Sequence, residues 1–105
     1  KENSRVFIHA GASGVGSAAI QIVKQFPGTQ VITSAGSDDK LALCKLLGAD
    51  ATINYKEVPK FSTEVQKATN NKGVDTLIDF VGASAWTENL ASLGMDGTMV
   101  ILGTL

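Results

Sequence analysis

Three glycines, Gly11, Gly14 and Gly16, stand among small side chains in the stretch "HAGASGVGSAA", between an apolar run and a segment of helical periodicity. Three chemistries use such a turn: nucleoside triphosphate binding, a hydrolase nucleophile elbow and dinucleotide binding. A triphosphate loop needs a lysine directly after its last glycine, so that an ammonium reaches the β- and γ-phosphates. Ser17 follows Gly16 here, and that chemistry drops out. A nucleophile elbow built on Ser13 needs glycines two residues to either side and a histidine downstream. Val15 occupies one of those positions, and the single histidine, His9, lies upstream. Dinucleotide binding needs a strand, a tight turn, a helix and small residues where backbone meets pyrophosphate, and all four are present. The candidate phosphate-binding residues are therefore Ala12, Ser13, Gly14 and Val15. Gly14 admits the phosphates to the backbone, and the neighbouring amides point at a ligand on the helix end. The spacing is G-x-x-G-x-G rather than the usual G-x-G-x-x-G, and glycines that merely close a strand-to-helix turn are the alternative.

A second set of residues bears on which dinucleotide would fit. A carboxylate about 20 residues beyond the glycine turn accepts from the adenine ribose 2′-OH of NAD. Here that region reads "SAGSDDK", with Gly36 where the carboxylate is expected. A 2′-phosphate can enter, with the Ser37 hydroxyl and the Lys40 charge as partners. Asp38 and Asp39 oppose this reading, since either could turn to a ribose hydroxyl and would repel a phosphate. The alternatives for Ser37 and Lys40 are a helix cap and a solvated charge. Val81 and Gly82 close the fourth apolar run, at the edge where open α/β sheets bind ligands. His9, at a strand end, is expected to be structural, as is Cys44 on an apolar helix face. Pro59 stands where the Y-x-x-x-K pair of short-chain dehydrogenases needs a lysine after Tyr55, so that enzyme class is excluded.

These residues need a scaffold, and the chain predicts one. Apolar runs of strand length alternate with helical patterns, as in a parallel sheet built from βαβ units. The predicted strands are "RVFIHA", "QVITSA", "DATINY", "VDTLIDFVG" and "GTMVILG". The first helix places Val15, Ala18, Ala19, Ile22, Val23 and Phe26 on one apolar face. In the second, Ser37 is the N-cap, Leu41, Cys44 and Leu47 form the buried stripe and Gly48 stops the helix. Phe61, Val65 and Ala68 line the third, and Ser84 caps a fourth that buries Trp86, Leu90 and Leu93. The fold class is α/β: a Rossmann-type doubly wound parallel sheet in three layers, strand order 3-2-1-4-5.

Composition narrows the partners. With 105 residues and 44% apolar content the chain is one domain with a real core. A net charge of −1 without a Lys/Arg cluster predicts neither nucleic acid nor a membrane surface as partner. One Cys and one His cannot build a structural zinc site, no metal is expected, and a reducing, cytoplasmic setting fits a lone cysteine. No run is long enough to cross a bilayer. The chain starts at Lys1 and stops just after an apolar run, as a domain within a larger two-domain enzyme would. An unpaired edge at "TMVIL" predicts self-association, as a homodimer.

"HAGASGVGSAAIQIVK", "SAGSDDKL", "LLGADATINYKE" and "GVDTLIDFVGASAWTENLASLGMDGTMVILG" together resemble the cofactor domain of zinc-independent quinone oxidoreductases in the medium-chain dehydrogenase/reductase superfamily, and most of all the p53-inducible type. The resemblance implies NADPH as cofactor and reduction of quinones or related electrophilic carbonyl compounds as small-molecule substrates. It implies contact of Tyr55 with the 2′-phosphate, and it places ribose and nicotinamide near Val81, Gly82, Leu102 and Gly103. The substrate cleft would lie between this domain and a separate catalytic domain, so the present chain alone would be inactive, with no catalytic residue of its own. A non-catalytic dinucleotide-binding or interaction module is the alternative.

Overall fold

A computed structural model describes residues 4–9, 14–58, 60–79 and 86–101. Strands and helices alternate as β1 (Arg5–Ile8), α1 (Gly14–Val23), β2 (Gln30–Ala35), α2 (Asp38–Leu47), β3 (Ala51–Asn54), α3 (Phe61–Ala68), β4 (Val74–Asp79), α4 (Trp86–Ser92) and β5 (Leu93–Ile101). Each strand returns to the sheet in the same direction, which a tight hairpin cannot do, so every connection carries a helix. The sheet is parallel throughout, in the predicted order β3-β2-β1-β4-β5. It is a Rossmann-like α/β fold.

Register sorts side chains onto two faces, because successive residues of a strand point to opposite sides. Phe7 lies beside Ile32 and Leu77. With Ile53 these residues meet Phe61 and Val65 of α3 in one core. On the other face Val6, Ile8 and Val31 meet Ile20 of α1 and Cys44 of α2. α1 and α2 therefore cover one face, α3 the other, and α4 packs beside α3. The change of face falls between β1 and β4, where the helices that follow the two strands part to opposite sides. That is the topological switch point at which doubly wound sheets bind ligands.

The second and third helices match their predictions. Ser37 caps α2 through its Oγ, which accepts from the Lys40 amide at 3.4 Å, and Cys44 is fully buried. Gly48 ends that helix with φ 120°, a conformation that disfavours any side chain. Phe61 and Val65 are buried and Ala68 packs against them.

Two predicted helix faces are wrong. α1 turns Gly16 and Ile20 to the sheet, with Ala19 and Val23 beside them, while Val15 and Ile22 are 59% and 63% exposed and Phe26 lies beyond the helix. Apolar residues cover more than one side of α1, so periodicity does not settle its rotation. Gly16, having no side chain, lies on the buried line. α4 ends at Ser92, and Leu93 opens β5 instead of closing the helix, four residues before the predicted start at Gly97. The pairing of β4 with β5 is irregular between Val74↔Leu93 and Thr76↔Thr98, which absorbs the additional strand residues. The inward positions of α4 are Asn89 and Ser92, both 0% exposed, whereas Leu90 is 49% exposed. A buried polar line cannot be found by apolar periodicity. Ser84 and the Trp86 side chain lie outside the described residues.

Candidate dinucleotide-binding site

β1 ends next to His9, and α1 begins at Gly14 on the carboxyl edge of the sheet. A Cβ placed on Gly14 would meet no atom of the described residues within 4 Å. No carboxylate stands in the first turn of α1, and Ser17 Oγ donates to the Gly14 carbonyl at 3.0 Å. The positive end of the helix dipole is thus left without an anion from its own helix, the electrostatic condition for accepting a phosphate. Val15 is exposed at this end. Ala12, Ser13, Val81, Gly82, Leu102 and Gly103 lie outside the described residues.

The second part of the site forms where β2 and β3 end side by side. The Tyr55 amide donates to the Ala35 carbonyl at 3.2 Å, which continues the ladder by one residue and sets Tyr55 beside Gly36. A Cβ on Gly36 would stand 2.9 Å from Tyr55 Oη and 3.2 Å from both Tyr55 Cζ and Lys56 Cε. Glycine at this position keeps room for the phenol and for the lysine stem. The Lys56 amide donates to Asn54 Oδ1 at 3.0 Å, which fixes the turn that brings Lys56 back over β2. Gly36 is therefore in close contact with Tyr55 and Lys56, a neighbouring pair far along the chain from it. Ser37, the N-cap of α2, and Lys40 in its first turn follow Gly36 in the chain, both with accessible side chains. Asn54 Nδ2 donates to Asp38 Oδ1 at 3.5 Å, so the nearer of the two acidic residues is turned toward the end of β3. Lys56 was missed by the sequence reading. Its signal is the basic residue directly after Tyr55 in "INYKE", which acquires meaning only once β3 is placed beside β2.

His9 is buried, as a structural strand-end residue should be. Its Nε2 lies 2.6 Å from Asn89 Oδ1 and its Nδ1 3.2 Å from Ser34 Oγ. Asn89 Nδ2 donates to Asp79 Oδ2 at 2.9 Å. Burial holds the imidazole below its ordinary pKa of 6.5, against the upward pull of the Asn89 bond and the Asp79 charge. The ring is neutral at pH 7. Burial likewise pushes the Cys44 thiol above its ordinary range, so it is inert rather than nucleophilic. A cavity of about 380 Å³ lined by Val23, Phe26, Ile78 and Met95 shares no residue with this site.

A family model described as zinc-binding dehydrogenase matches residues 14–105. Among the described residues no group of three or more His, Cys, Asp or Glu could hold a metal ion, and no step in this chain is assigned to zinc. Quinone oxidoreductase-like protein 2 of Rattus norvegicus is 34% identical over 98 residues, which is 93% of this chain and 28% of that protein. A solved NAD-dependent alcohol dehydrogenase superposes with a TM-score of 0.89 at 40% identity, over 96% of this chain and 29% of its own. Mycobacterial Rv1454c complexed with NADPH superposes with a TM-score of 0.90 at 36% identity, over 99% of this chain and 32% of its own. The chain spans only 28–32% of the length of these proteins. It belongs to the zinc-binding dehydrogenase family of the medium-chain dehydrogenase/reductase superfamily and forms the dinucleotide-binding domain of these oxidoreductases.

Proposed function

We propose that this chain is the NADPH-binding domain of a quinone oxidoreductase-like enzyme of the zinc-independent type, which reduces quinones or related electrophilic carbonyl compounds. The observation that carries the choice of cofactor is the Gly36 pocket. No carboxylate stands at position 36, the Tyr55 hydroxyl and Lys56 lie against the vacated volume, and Ser37 and Lys40 follow at the start of α2. The NADPH complex of a similar fold and the quinone oxidoreductase-like relatives support the same reading.

When bound, the cofactor supplies the hydride; this chain's residues bind and orient it. The amides at the start of α1 take the pyrophosphate, as a helix end without a carboxylate in its first turn favours. Lys40 and Lys56 neutralise the 2′-phosphate, and the Ser37 and Tyr55 hydroxyls donate to it. The switch point between β1 and β4 receives the nicotinamide half. Calorimetric titration of the chain with NADPH and NADH tests this directly. Tighter binding of NADPH, eroded by salt, is the expected outcome; a preference for NADH would assign the acidic pair Asp38 and Asp39 to the ribose, in line with the similarity to an NAD-dependent enzyme. Quinone-dependent oxidation of NADPH by the parent enzyme, absent from the 105-residue chain alone, separates a catalytic domain from a binding module.

A further inference from the structure

On the face covered by α3, the inward positions of β1, β2 and β4 are apolar until the carboxyl edge: Phe7, Ile32 and Leu77 are each 0% exposed. Two residues further along each strand, the side chains become His9, Ser34 and Asp79, at 3%, 0% and 1% exposure. On the three central strands the core changes from apolar to polar at the end of the sheet that faces the proposed cofactor, while Ile53 of β3, in register with Ser34, stays apolar. Asn89 of α4, itself fully buried, joins two of the three polar residues, and His9 reaches the third.

The bonding admits one arrangement. Asp79 as a carboxylate only accepts, so the Asn89 amide group must point its Nδ2 there and turn Oδ1 to His9. His9 must then donate from Nε2, and its Nδ1 accepts from the Ser34 hydroxyl. The imidazole is held in this plane by Phe7 and Phe61, whose ring centroids lie 4.6 Å and 4.7 Å away. Apolar residues of the same volume would fill this space at lower desolvation cost, whereas directional bonds fix how a helix sits on the strand ends, which apolar packing leaves free.

We infer that Asn89 and His9 are positioning residues for the dinucleotide: the backbones of β1 and β4 are already paired as far as His9, and the Asn89 amide group clamps α4 onto the carboxyl ends of both strands at the switch point. Asn89 bonds to His9 at the end of β1 and to Asp79 at the end of β4, so one amide group holds α4 against both. This rests on the proposed dinucleotide function. The clamp lies away from the Gly36 pocket, and its loss acts on NADPH and NADH alike.

The test is titration of wild type, Asn89→Leu, His9→Leu and His9→Gln with both cofactors, with thermal unfolding recorded in parallel. Asn89→Leu and His9→Leu are expected to weaken both cofactors by about tenfold, the equivalent of one buried hydrogen bond, in protein that remains folded. His9→Gln, which can present an N–H to Asn89 Oδ1, is expected to restore affinity to within about threefold. Unchanged affinities in the two leucine variants, whatever their melting temperatures, would show a merely structural network and overturn the inference while leaving the dinucleotide reading intact. Wild type that binds neither cofactor overturns the dinucleotide reading itself. If the leucine variants do not fold, Ser34→Ala decides: it removes the outermost bond, and an affinity equal to wild type overturns the inference.

Discussion

Replacing Gly36 by aspartate confronts the proposed pocket with the carboxylate of an NAD-binding site. The new Cβ would stand 2.9 Å from Tyr55 Oη, closer than such atoms approach, so the phenol must retreat by several tenths of an ångström. Tyr55 is 45% exposed and the contact involves its outer end, so the ring can swing toward solvent, and the fold should lose less than about 1 kcal/mol. The electrostatic change is larger. Two unit charges 4 Å apart repel by about 1 kcal/mol in water and about 4 kcal/mol at an effective dielectric of 20. For a half-exposed site a net repulsion of about 2–3 kcal/mol against the phosphate follows, or roughly 30- to 150-fold in Kd. NADH meets the opposite change, because the carboxylate accepts from its ribose hydroxyl, and its affinity should hold or rise by about fivefold. Gly36→Ala isolates the steric part and should weaken both cofactors equally, by no more than about threefold. The assay is calorimetric titration at low and high salt. Gly36→Asp binding NADPH as tightly as wild type would refute the placement of the 2′-phosphate at the end of β2.

Removing a positive charge from the same pocket should be equally selective: Lys40→Ala is expected to weaken NADPH binding by about 10- to 100-fold with NADH almost unchanged, and Lys56→Ala to act in the same direction. Titrations of each variant check this, and loss of NADH affinity in step with NADPH would remove the lysines from the phosphate. Because the folded-state pKa of His9 lies below 6.5, its contribution to stability is complete above pH 6.5 and is lost as pH falls from there toward the lowered value, which denaturant midpoints measured from pH 8 to 5 should show. His9→Gln should flatten that part of the profile. The face of β4 and β5 opposite α4 exposes Met95 by 92% and Val100 by 37%, and the chain is expected to self-associate through this face and the β5 edge. Sedimentation at increasing concentration checks it, and Met95→Lys should shift the distribution toward monomer.

Much of the architecture was legible because it rests on local signals. Alternating apolar runs and helical patterns, the Ser37 cap and the Gly48 stop each follow from a few neighbouring residues, and parallel order follows from connections too long for hairpins. The glycine-rich stretch and the missing acid at Gly36 were likewise readable, since backbone approach and charge depend on residue type at one position. Rotation of the helices was not. α1 carries apolar residues around more than half its circumference, and the line that meets the sheet is the one with Gly16 and Ile20.

The sequence by itself determined the alternation of elements, the glycine-rich stretch ahead of the first helix and the absence of a carboxylate at the end of the second strand, because each is a property of a short segment. Tertiary structure decided the rest of the site. Lys56 joins Gly36 only because β3 lies beside β2, and His9, Ser34, Asp79 and Asn89 form one polar layer only because four elements end at the same edge. Such contacts span up to 80 residues of chain, and no local periodicity encodes them.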